Sequence, residues 1–490
     1  MTNPTILFLT NCELGQATVC LAVAHEFLVR KSYNVHIASS PLLETAITNL
    51  NSRAASLSQS APSTATFHPI TGRSMVQAIT ATQPYPGSFT THEIGFWGAL
   101  NAYPKLMNYV VPWTADEYIA SYYSAVEIIQ RLKPSLIAVD PLFAQGFDAC
   151  RHLQCEYVVL SPNTLKDHVV QPMLGNLWKY PILCSGYSYP LPWKNVFANA
   201  YLAVNLGVTF TQSPIMKSIN ERRHAEGIQG PYPAISTSGK NAAQLLLASH
   251  EETDFPSYIP ENTTLCGPIL RPCTPIDQEF PELAAWLSGG PTVLVNLGSI
   301  VCLNEIQAWK LASGLRVLLD ARPDIQVLWK LKPSVEGNIG DWISMALRGI
   351  IEEVKNCRVR IEEWLPVDPF SILQTGRVVC VVHHGGANSY NEAMRAGVPQ
   401  IILPTWFDTF DFAARVEYLG VGVWGSKLKA PAIHGPELGE ALIRVLHSEE
   451  GTVMREKARS IASKLLASEG RVVACEKMIE LLEVQELGDI

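Results

Sequence analysis

Short apolar runs alternate with segments of helical periodicity along most of the chain. In the first half, runs of strand length fall at residues 6–9, 34–38, 65–69, 136–139 and 157–160. Apolar positions recur at helical spacing in 17–29 and 145–152, while 11–16 has the composition of a loop. A strand, a helix and a second strand in succession form the unit from which parallel sheets are built. The pattern therefore predicts an α/β domain.

The same alternation returns in the second half of the chain. Strands are predicted at 292–296, 327–330, 378–382 and 400–403, and helices at 305–320, 391–396, 438–447 and 453–482. We predict an N-terminal domain at 1–250, a proline-rich linker at 251–272, a C-terminal domain at 273–452, and closing helices at 453–490 that pack back onto the first domain. The predicted fold class is α/β, with two Rossmann-like domains facing each other across a cleft. Ligands of such folds lie at the carboxyl ends of the strands.

The composition indicates a globular protein and argues against several kinds of partner and site. Hydrophobic residues make up 47% and charged residues 17%, which is typical of a globular chain. The net charge is −8 and no long run of Lys or Arg occurs, which argues against nucleic acid as a partner. Eleven cysteines without a C-x-x-C pair favour reduced thiols and no structural zinc. With no signal-peptide pattern and no run of 18 apolar residues, we expect a cytoplasmic protein without a membrane span.

The densest set of candidate binding residues follows the strand at 378–382. There Gly385 and Gly386 lead into a helix with Asn388 and Ser389 at its N-terminus and Glu392 one turn on. Glycines let the backbone approach a ligand closely, and free N–H groups at a helix N-terminus attract anions. The arrangement indicates a diphosphate site beside a carboxylate for ribose hydroxyls. The alternative is a capping box, Ser389-x-x-Glu392, which needs no ligand.

Further motifs surround this segment in a fixed order. Trp364-x-Pro366 comes before it, and Gly397-Val398-Pro399, Pro404 and Asp408 come after it. The set resembles the donor-binding signature of the family 1 UDP-glycosyltransferases, W-x-P…H-x-G-x-N-S-x-x-E…G-V-P…P-x-x-x-D-Q. The match covers 364–414, with weaker similarity over most of the chain. The resemblance implies the two-domain GT-B fold and an inverting transfer from a UDP-sugar, UDP-glucose by default, with no metal or other cofactor.

The resemblance also implies a role for each matched residue. Trp364 would stack on uracil, and the backbone of Leu365 would read the base edge; otherwise Trp364 is a core tryptophan. Glu392 would hold the ribose, and Asp408 with Thr409 the sugar. The diphosphate would lie beside Gly298, Ser299, His384, Gly386, Asn388 and Ser389. The family's Gln positions are Val367 and Thr409 here, so the identity of the sugar stays open.

The usual catalytic base of this family is missing. In the family a histidine deprotonates the acceptor and an aspartate orients that histidine. When the sequences are aligned through Leu21, Gln16 occupies the histidine position and Asp140 the aspartate position. Glutamine cannot take a proton at neutral pH. Either Asp140, His92 or Glu93 acts as the base, or the acceptor ionises with little help, or the enzyme is slow or inactive and Gln16 only positions the acceptor. Some fungal natural-product glycosyltransferases resemble this variant.

The acceptor is predicted from the same reasoning. A phenol or resorcinol-type polyketide is acidic enough to react without a strong base and is nucleophilic at carbon, so O- and C-glycosylation both stay open. An aromatic segment at 180–193 could line an apolar acceptor site or pack as an ordinary loop. The expected partners are therefore a UDP-sugar and a small aromatic or lipophilic product of secondary metabolism. A nucleotide-sugar epimerase and a non-catalytic donor-binding helper are the alternatives.

Overall fold

The computed structural model describes residues 3–56, 63–82, 91–170, 176–235, 242–334 and 339–488. Its core consists of two sheets in which every strand pairing is parallel, one from each half of the chain. This confirms the predicted α/β class with two parallel sheets. Among the described residues, no helix combines the length and apolarity that a membrane span requires.

The first sheet has seven strands in the order β3-β2-β1-β4-β5-β6-β7. Its strands are β1 (Thr5–Leu9), β2 (Asn34–Ser39), β3 (Thr66–Pro69), β4 (Leu136–Val139), β5 (Tyr157–Ser161), β6 (Gln244–Leu247) and β7 (Thr263–Leu265). The central strands are buried on both faces, as the continuous apolar runs require. Leu9 of β1 pairs with Val139 of β4, so Thr10 and Asp140 follow at neighbouring strand ends.

The second sheet has six strands in the order β10-β9-β8-β11-β12-β13. Its strands are β8 (Thr292–Asn296), β9 (Gln326–Lys330), β10 (Val359–Glu362), β11 (Val378–His383), β12 (Gln400–Ile402) and β13 (Gly422–Trp424). His383 of β11 pairs with Asn296 of β8. The loops after these two strands therefore lie side by side at the carboxyl edge of the sheet.

Nineteen α-helices, within the described ranges, connect and cover the sheets. In the first half they are α1 (Leu14–Arg30), α2 (Glu44–Ser56), α3 (Met75–Thr82), α4 (Gly95–Val110), α5 (Ala115–Leu132), α6 (Ala144–His152), α7 (Val196–Gln212) and α8 (Pro214–Ala225). In the second they are α9 (Ile276–Glu279), α10 (Pro281–Leu287), α11 (Glu305–Ala321), α12 (Ile339–Ala346), α13 (Ile351–Lys355), α14 (Pro369–Gln374), α15 (Ala387–Ala396), α16 (Thr409–Leu419), α17 (Gly435–Leu446), α18 (Glu449–Leu465) and α19 (Gly470–Gly488). Shorter turns of helix lie at Pro41–Leu43, Lys166–Val170, Trp193–Asn195 and Glu251–Thr253.

The structure differs from the predicted boundaries in two ways that matter for the cleft. The segment predicted as linker contains β7, which pairs with β6 at the edge of the first sheet, because its prolines flank the strand instead of interrupting it. Helices α1 and α15 begin three or four residues before their predicted starts. Gln16 and Asn388 therefore lie in first helical turns.

The last helix of the chain joins the two halves. Its residues Ala474, Cys475 and Met478 are fully buried in one apolar cluster with residues of β1 and α1. Arg471 also pairs with Glu26 of α1 at 2.7 Å. The predicted domain bounds stay a prediction, but the end of the chain does pack on its beginning.

Candidate functional site

The candidate site begins where β8 and β11 end. Gly298 follows β8 with φ +82°, and His384, Gly385 and Gly386 follow β11. A Cβ at Gly298 would lie 2.6 Å from the His384 ring, and one at Gly386 would lie 2.4 Å from its Nε2. Both distances are far below van der Waals contact. The imidazole of His384 is therefore held in a slot that only two glycines leave open.

His384 is neutral in this slot. Burial, with smaller contributions from the nearby His383 and Lys330, lowers the pKa of its imidazole to about 3. The ring also packs against Trp406, with 5.6 Å between centroids. Its Nδ1 is buried and has no hydrogen-bond partner among the described residues. Buried polar atoms are rarely left unpaired, so this nitrogen suits a ligand oxygen.

Helix α15 presents an uncapped N-terminus beside His384. Its N-cap is Gly386, which has no side chain to satisfy the first amides, and Ser389 is the third residue of the helix. The capping box considered for Ser389 and Glu392 is therefore wrong, because Ser389 does not occupy the N-cap. Free N–H groups and the helix dipole meet at this end, which is the arrangement that binds phosphate.

Asn388 ties this helix to the first half of the chain. Its Nδ2 donates to the carbonyl oxygen of Leu14 at 3.1 Å and lies 3.5 Å from that of Gly15, both in the first turn of α1. The N-termini of α1 and α15 therefore approach each other. A diphosphate at α15 would lie directly beside the segment that carries Gln16.

Glu392 lies one turn further along α15 and is half-buried. Burial raises the pKa of its carboxyl group to about 8, and the negative charge of Asp368 adds to this, while Arg271 opposes it. Arg271 is itself paired with Asp368 at 2.7 Å. Glu392 thus has an acidic neighbour whose charge is partly neutralised, and its carboxyl group remains available for hydroxyl groups of a ligand.

Trp364 follows β10 at the same edge of the sheet. Trp364 is 55% exposed, which excludes the alternative of a core tryptophan. Lys330 places its Nζ 3.6 Å from the centre of this ring and donates to the carbonyl oxygen of Gly298 at 3.0 Å. Leu365 next to Trp364 is buried in the apolar core. An exposed indole supported on one face can stack on a base with the other.

Two basic residues of this edge were missed from the sequence. Lys330 is the last residue of β9, and Lys332 follows that strand. The Nζ of Lys332 donates to the carbonyl oxygen of Ser299 at 3.1 Å. Burial, together with the charge of Lys332, lowers the pKa of Lys330 to about 8. Their position at a strand end was a usable signal. The donor side therefore carries lysine charge as well as helix dipoles.

Asp408 precedes α16 and Thr409 is the first residue of that helix, and their side chains have different surroundings. Asp408 is half-buried, and burial together with the charge of Asp167 raises the pKa of its carboxyl group to about 7. Thr409 is 1% exposed, and its hydroxyl accepts from the backbone N–H groups of Thr405 and Trp406. The Thr409 side chain thus faces its own loop, which corrects the prediction that it contacts the sugar.

Asp140 is engaged by the loop after β1 and by its own loop after β4. Its Oδ2 accepts from the Thr10 hydroxyl and from both the backbone and side-chain N–H groups of Asn11, at 3.0 to 3.3 Å. Its Oδ1 accepts from the N–H of Leu142 at 2.9 Å. Burial raises the pKa of Asp140 to about 6 in spite of these bonds. With 1% exposure it holds the loop after β1 in place, and it does not reach an acceptor as a base would.

His92 is also committed elsewhere. Its Nδ1 donates to the carbonyl oxygen of Glu93 at 2.8 Å, and its Nε2 accepts from the backbone N–H of Phe407 at 3.1 Å. Burial lowers the pKa of the ring to about 4. His92 therefore links the two halves of the chain as a neutral residue and has no nitrogen left for an acceptor. Glu93 is exposed.

Gln16 and Glu13, at the start of α1, each have an unpaired oxygen. Oε1 of Gln16 and Oε2 of Glu13 are buried without hydrogen-bond partners among the described residues. Oε1 of Glu13 accepts from the N–H of Val76 at 2.8 Å. Burial raises the pKa of the Tyr109 hydroxyl, and the charges of Asp408 and Glu13 contribute to the rise. Both carboxylates therefore lie near that hydroxyl. Glu13 was missed because the loop before α1 was judged only through the position of Gln16.

The aromatic segment 180–193 packs as a loop. Tyr189 stacks on Phe255 at 4.2 Å between centroids and contacts Tyr180 at 5.3 Å. Trp193 is directed to solvent. Tyr180 and Tyr189 thus take part in ordinary packing, whereas Tyr187 of the same segment packs against the cluster that contains Trp406 and Phe407.

The glycosyltransferase sdnJ of Sordaria araneosa is 33% identical over an alignment of 503 residues that covers 97% of each chain. The chain belongs to the family 1-like glycosyltransferases. The family described as erythromycin biosynthesis protein CIII-like, C-terminal domain, matches residues 348–481, which include Trp364, His384 and Asp408.

Two solved structures share the fold of this glycosyltransferase with a TM-score of 0.65. The glycotransferase of kitacinnamycin is 16% identical and covers 98% of this chain and 99% of its own. A UDP-glucosyltransferase from Polygonum tinctorium, capable of glucosylating indoxyl, is 17% identical and covers 98% of each chain. At this identity the likeness concerns the fold alone, and it confirms the predicted GT-B arrangement.

Proposed function

We propose that this glycosyltransferase transfers a sugar from a UDP-sugar, UDP-glucose by default, to a small apolar, phenolic acceptor with inversion at the anomeric carbon. The observation that carries the proposal is the site around His384. There an uncapped helix N-terminus, an unpaired imidazole nitrogen and the exposed Trp364 meet at one sheet edge. Such groups suit a diphosphate joined to a base.

In this proposal the donor residues stabilise the leaving group. The bond between the sugar and the diphosphate breaks as the acceptor oxygen attacks, and negative charge builds up on UDP. The first amides of α15 and the neutral His384 then donate to the diphosphate, while Lys330 supplies positive charge nearby. Glu392 accepts from the ribose hydroxyls, and Asp408 from hydroxyls of the sugar.

The experiment has a binding arm and a turnover arm. Calorimetry with UDP is compared with CDP and GDP, and the protein is incubated with UDP-glucose and a panel of phenols while UDP release and adduct mass are followed. Tight UDP binding with an adduct of the β configuration by NMR supports the proposal. Preference for another nucleotide overturns the donor assignment, and binding without any adduct overturns the transfer.

A second part of the proposal concerns the missing base: we infer that Glu13 takes the proton of the acceptor hydroxyl. Asp140 and His92 have their polar atoms engaged, whereas Oε2 of Glu13, three residues before Gln16 in the chain, is buried and has no hydrogen-bond partner among the described residues. The acceptor O–H bond breaks toward Oε2 as the new bond to the sugar forms. Gln16 would hold the acceptor oxygen during this step.

Glu13→Gln tests this step, with the exposed Glu93→Gln as the matched control. General base catalysis contributes about 10²- to 10⁴-fold, so a weakly acidic phenol should lose turnover by that factor. A nitrophenol that is ionised already should lose much less. A loss that is equal for both phenols, or equal in the Glu93 control, contradicts the role of Glu13.

A further inference from the structure

Helix α7 carries apolar side chains on the side that faces away from the protein. Its buried side holds Asn199 and Leu202, and Leu202 shares an apolar cluster with Trp406 and Phe407 of the second half. With 100° per residue, Phe197, Tyr201, Val204 and Val208 lie within about 60° of one another on the opposite side. All four are exposed, Phe197 by 86%.

Two tryptophans extend this surface beyond the helix. Trp193, in the turn just before α7, is 84% exposed, and Trp97 of α4 is 74% exposed. Phe96 joins the two helices, since its ring centroid lies 5.1 Å from that of Trp97 and 5.6 Å from that of Tyr201. We call this surface the outer face; its residues are Trp97, Trp193, Phe197, Tyr201, Val204 and Val208.

An apolar surface of this kind requires a partner, because monomeric proteins rarely leave large contiguous apolar patches in water. Charge indicates which partner. Residues 168–220 contain three lysines and neither Asp nor Glu, although the whole chain has a net charge of −8. The three, Lys179, Lys194 and Lys217, are exposed. Glu93, two residues before α4 in the chain, is acidic and exposed.

A bilayer with anionic headgroups fits this combination better than a second copy of the chain. A two-fold dimer places the same patch on both subunits and would bring lysines toward lysines. Anionic headgroups attract lysines, while Trp and Tyr favour the membrane interface and Phe and Val the region beneath it. We propose that the outer face binds the surface of an anionic lipid bilayer, with α7 lying in the interfacial plane.

The position of α7 gives this contact a consequence for the cleft. The side of the helix opposite the outer face packs on the cluster that contains Trp406 and Phe407, next to Asp408. Protein bound in this way would hold the cleft close to the membrane. Apolar acceptors partition into bilayers, so the contact would raise their local concentration near the site.

Vesicle sedimentation of the full chain tests the proposal without donor or acceptor, so its outcome is independent of the proposed function. Vesicles of phosphatidylcholine alone are compared with vesicles of an equimolar mixture of phosphatidylcholine and phosphatidylserine. We expect binding to the mixture that weakens with salt. Trp193→Ser/Phe197→Ser should weaken it by about 100-fold, since burying each large apolar side chain contributes roughly a factor of ten or more. Lys194→Glu/Lys217→Glu should also weaken it.

Controls make the result decisive. Leu42→Ser/Leu428→Ser removes two exposed leucines outside the outer face and should bind like the wild-type protein. Melting temperatures should agree among all variants, because the substituted side chains are exposed. Absence of vesicle binding by the wild-type protein, equal loss in the leucine control, or a dimer by light scattering that the Trp193/Phe197 variant abolishes would overturn the proposal.

Discussion

Gly386→Ala is a small change that tests the glycine slot of His384 directly. Gly386 has φ −73°, so alanine fits the backbone without strain. Its Cβ, however, would lie 2.4 Å from Nε2 of His384, where ordinary contact begins at about 3.4 Å. The imidazole must therefore retreat by about 1 Å.

A retreat of that size is enough to lose a hydrogen bond. An N–H···O distance near 2.9 Å would exceed 3.5 Å, beyond the range of a hydrogen bond. A bond to a charged group contributes about 1.5–3 kcal/mol, which corresponds to a 10- to 150-fold weaker Kd for UDP. Overpacking should cost stability by about 1–3 kcal/mol. Calorimetry with UDP and thermal melting measure the two effects separately.

Two matched glycine variants complete this test. Gly349→Ala, where an added Cβ meets nothing within 4 Å, should leave UDP affinity unchanged. Gly298→Ala should weaken UDP binding as Gly386→Ala does and lose more stability, because Gly298 has φ +82°. Wild-type affinity in a folded Gly386→Ala protein would refute the idea that His384 contacts the diphosphate.

Three more changes have definite expected outcomes. The folded-state pKa of Glu392, about 8, exceeds the usual value of a glutamate, so stability falls as pH rises toward 8. Glu392→Gln should therefore melt at a higher temperature than the wild type at pH 8.5 but not at pH 4.5, while binding UDP more weakly. His92→Phe leaves the buried N–H of Phe407 unpaired and should cost about 1–3 kcal/mol in denaturant titrations, with kcat within a few-fold of the wild type. Gln16→His should raise kcat at most a few-fold, since the oxygens of Asp140 are engaged by Thr10, Asn11 and Leu142; restoration to a strongly active enzyme would contradict this.

Much of the fold follows from periodicity alone. Strands such as Leu136–Val139 and Thr292–Asn296 have their predicted bounds, because continuous apolar runs of this length suit buried parallel strands. Helix starts were harder to predict. Gly15 and Gln16 have the composition of a loop but form the first turn of α1, because tertiary contacts override weak local propensity.

The sequence proposes residues for a donor site more readily than residues for an acceptor site, and the reason is physical. Ordered motifs predict Trp364, His384 and Glu392 as donor residues, because backbone geometry and short spacing are what a diphosphate site requires. The engagement of His92 and Thr409 depends on partners that fold next to them, such as Phe407 and the loop before α16. Hydrogen bonds between distant segments leave no periodic signal in one sequence.

The proposed donor residues and the proposed acceptor residues differ in how far the sequence predicts them. The contact between Asn388 and the first turn of α1 joins the two sets in one site. The donor side depends on amides, dipoles and glycine geometry, which tolerate few substitutions. In the proposed mechanism the acceptor side needs one proton acceptor within reach of the sugar, and Glu13 meets that need. Asn388 holds the first turn of α1 against α15, and Glu13 immediately precedes that turn, three residues from the position to which the resemblance assigns the histidine of the family. If Glu13 is the base, Gln16 in place of that histidine leaves the proposed donor residues unchanged and moves only the task of proton removal.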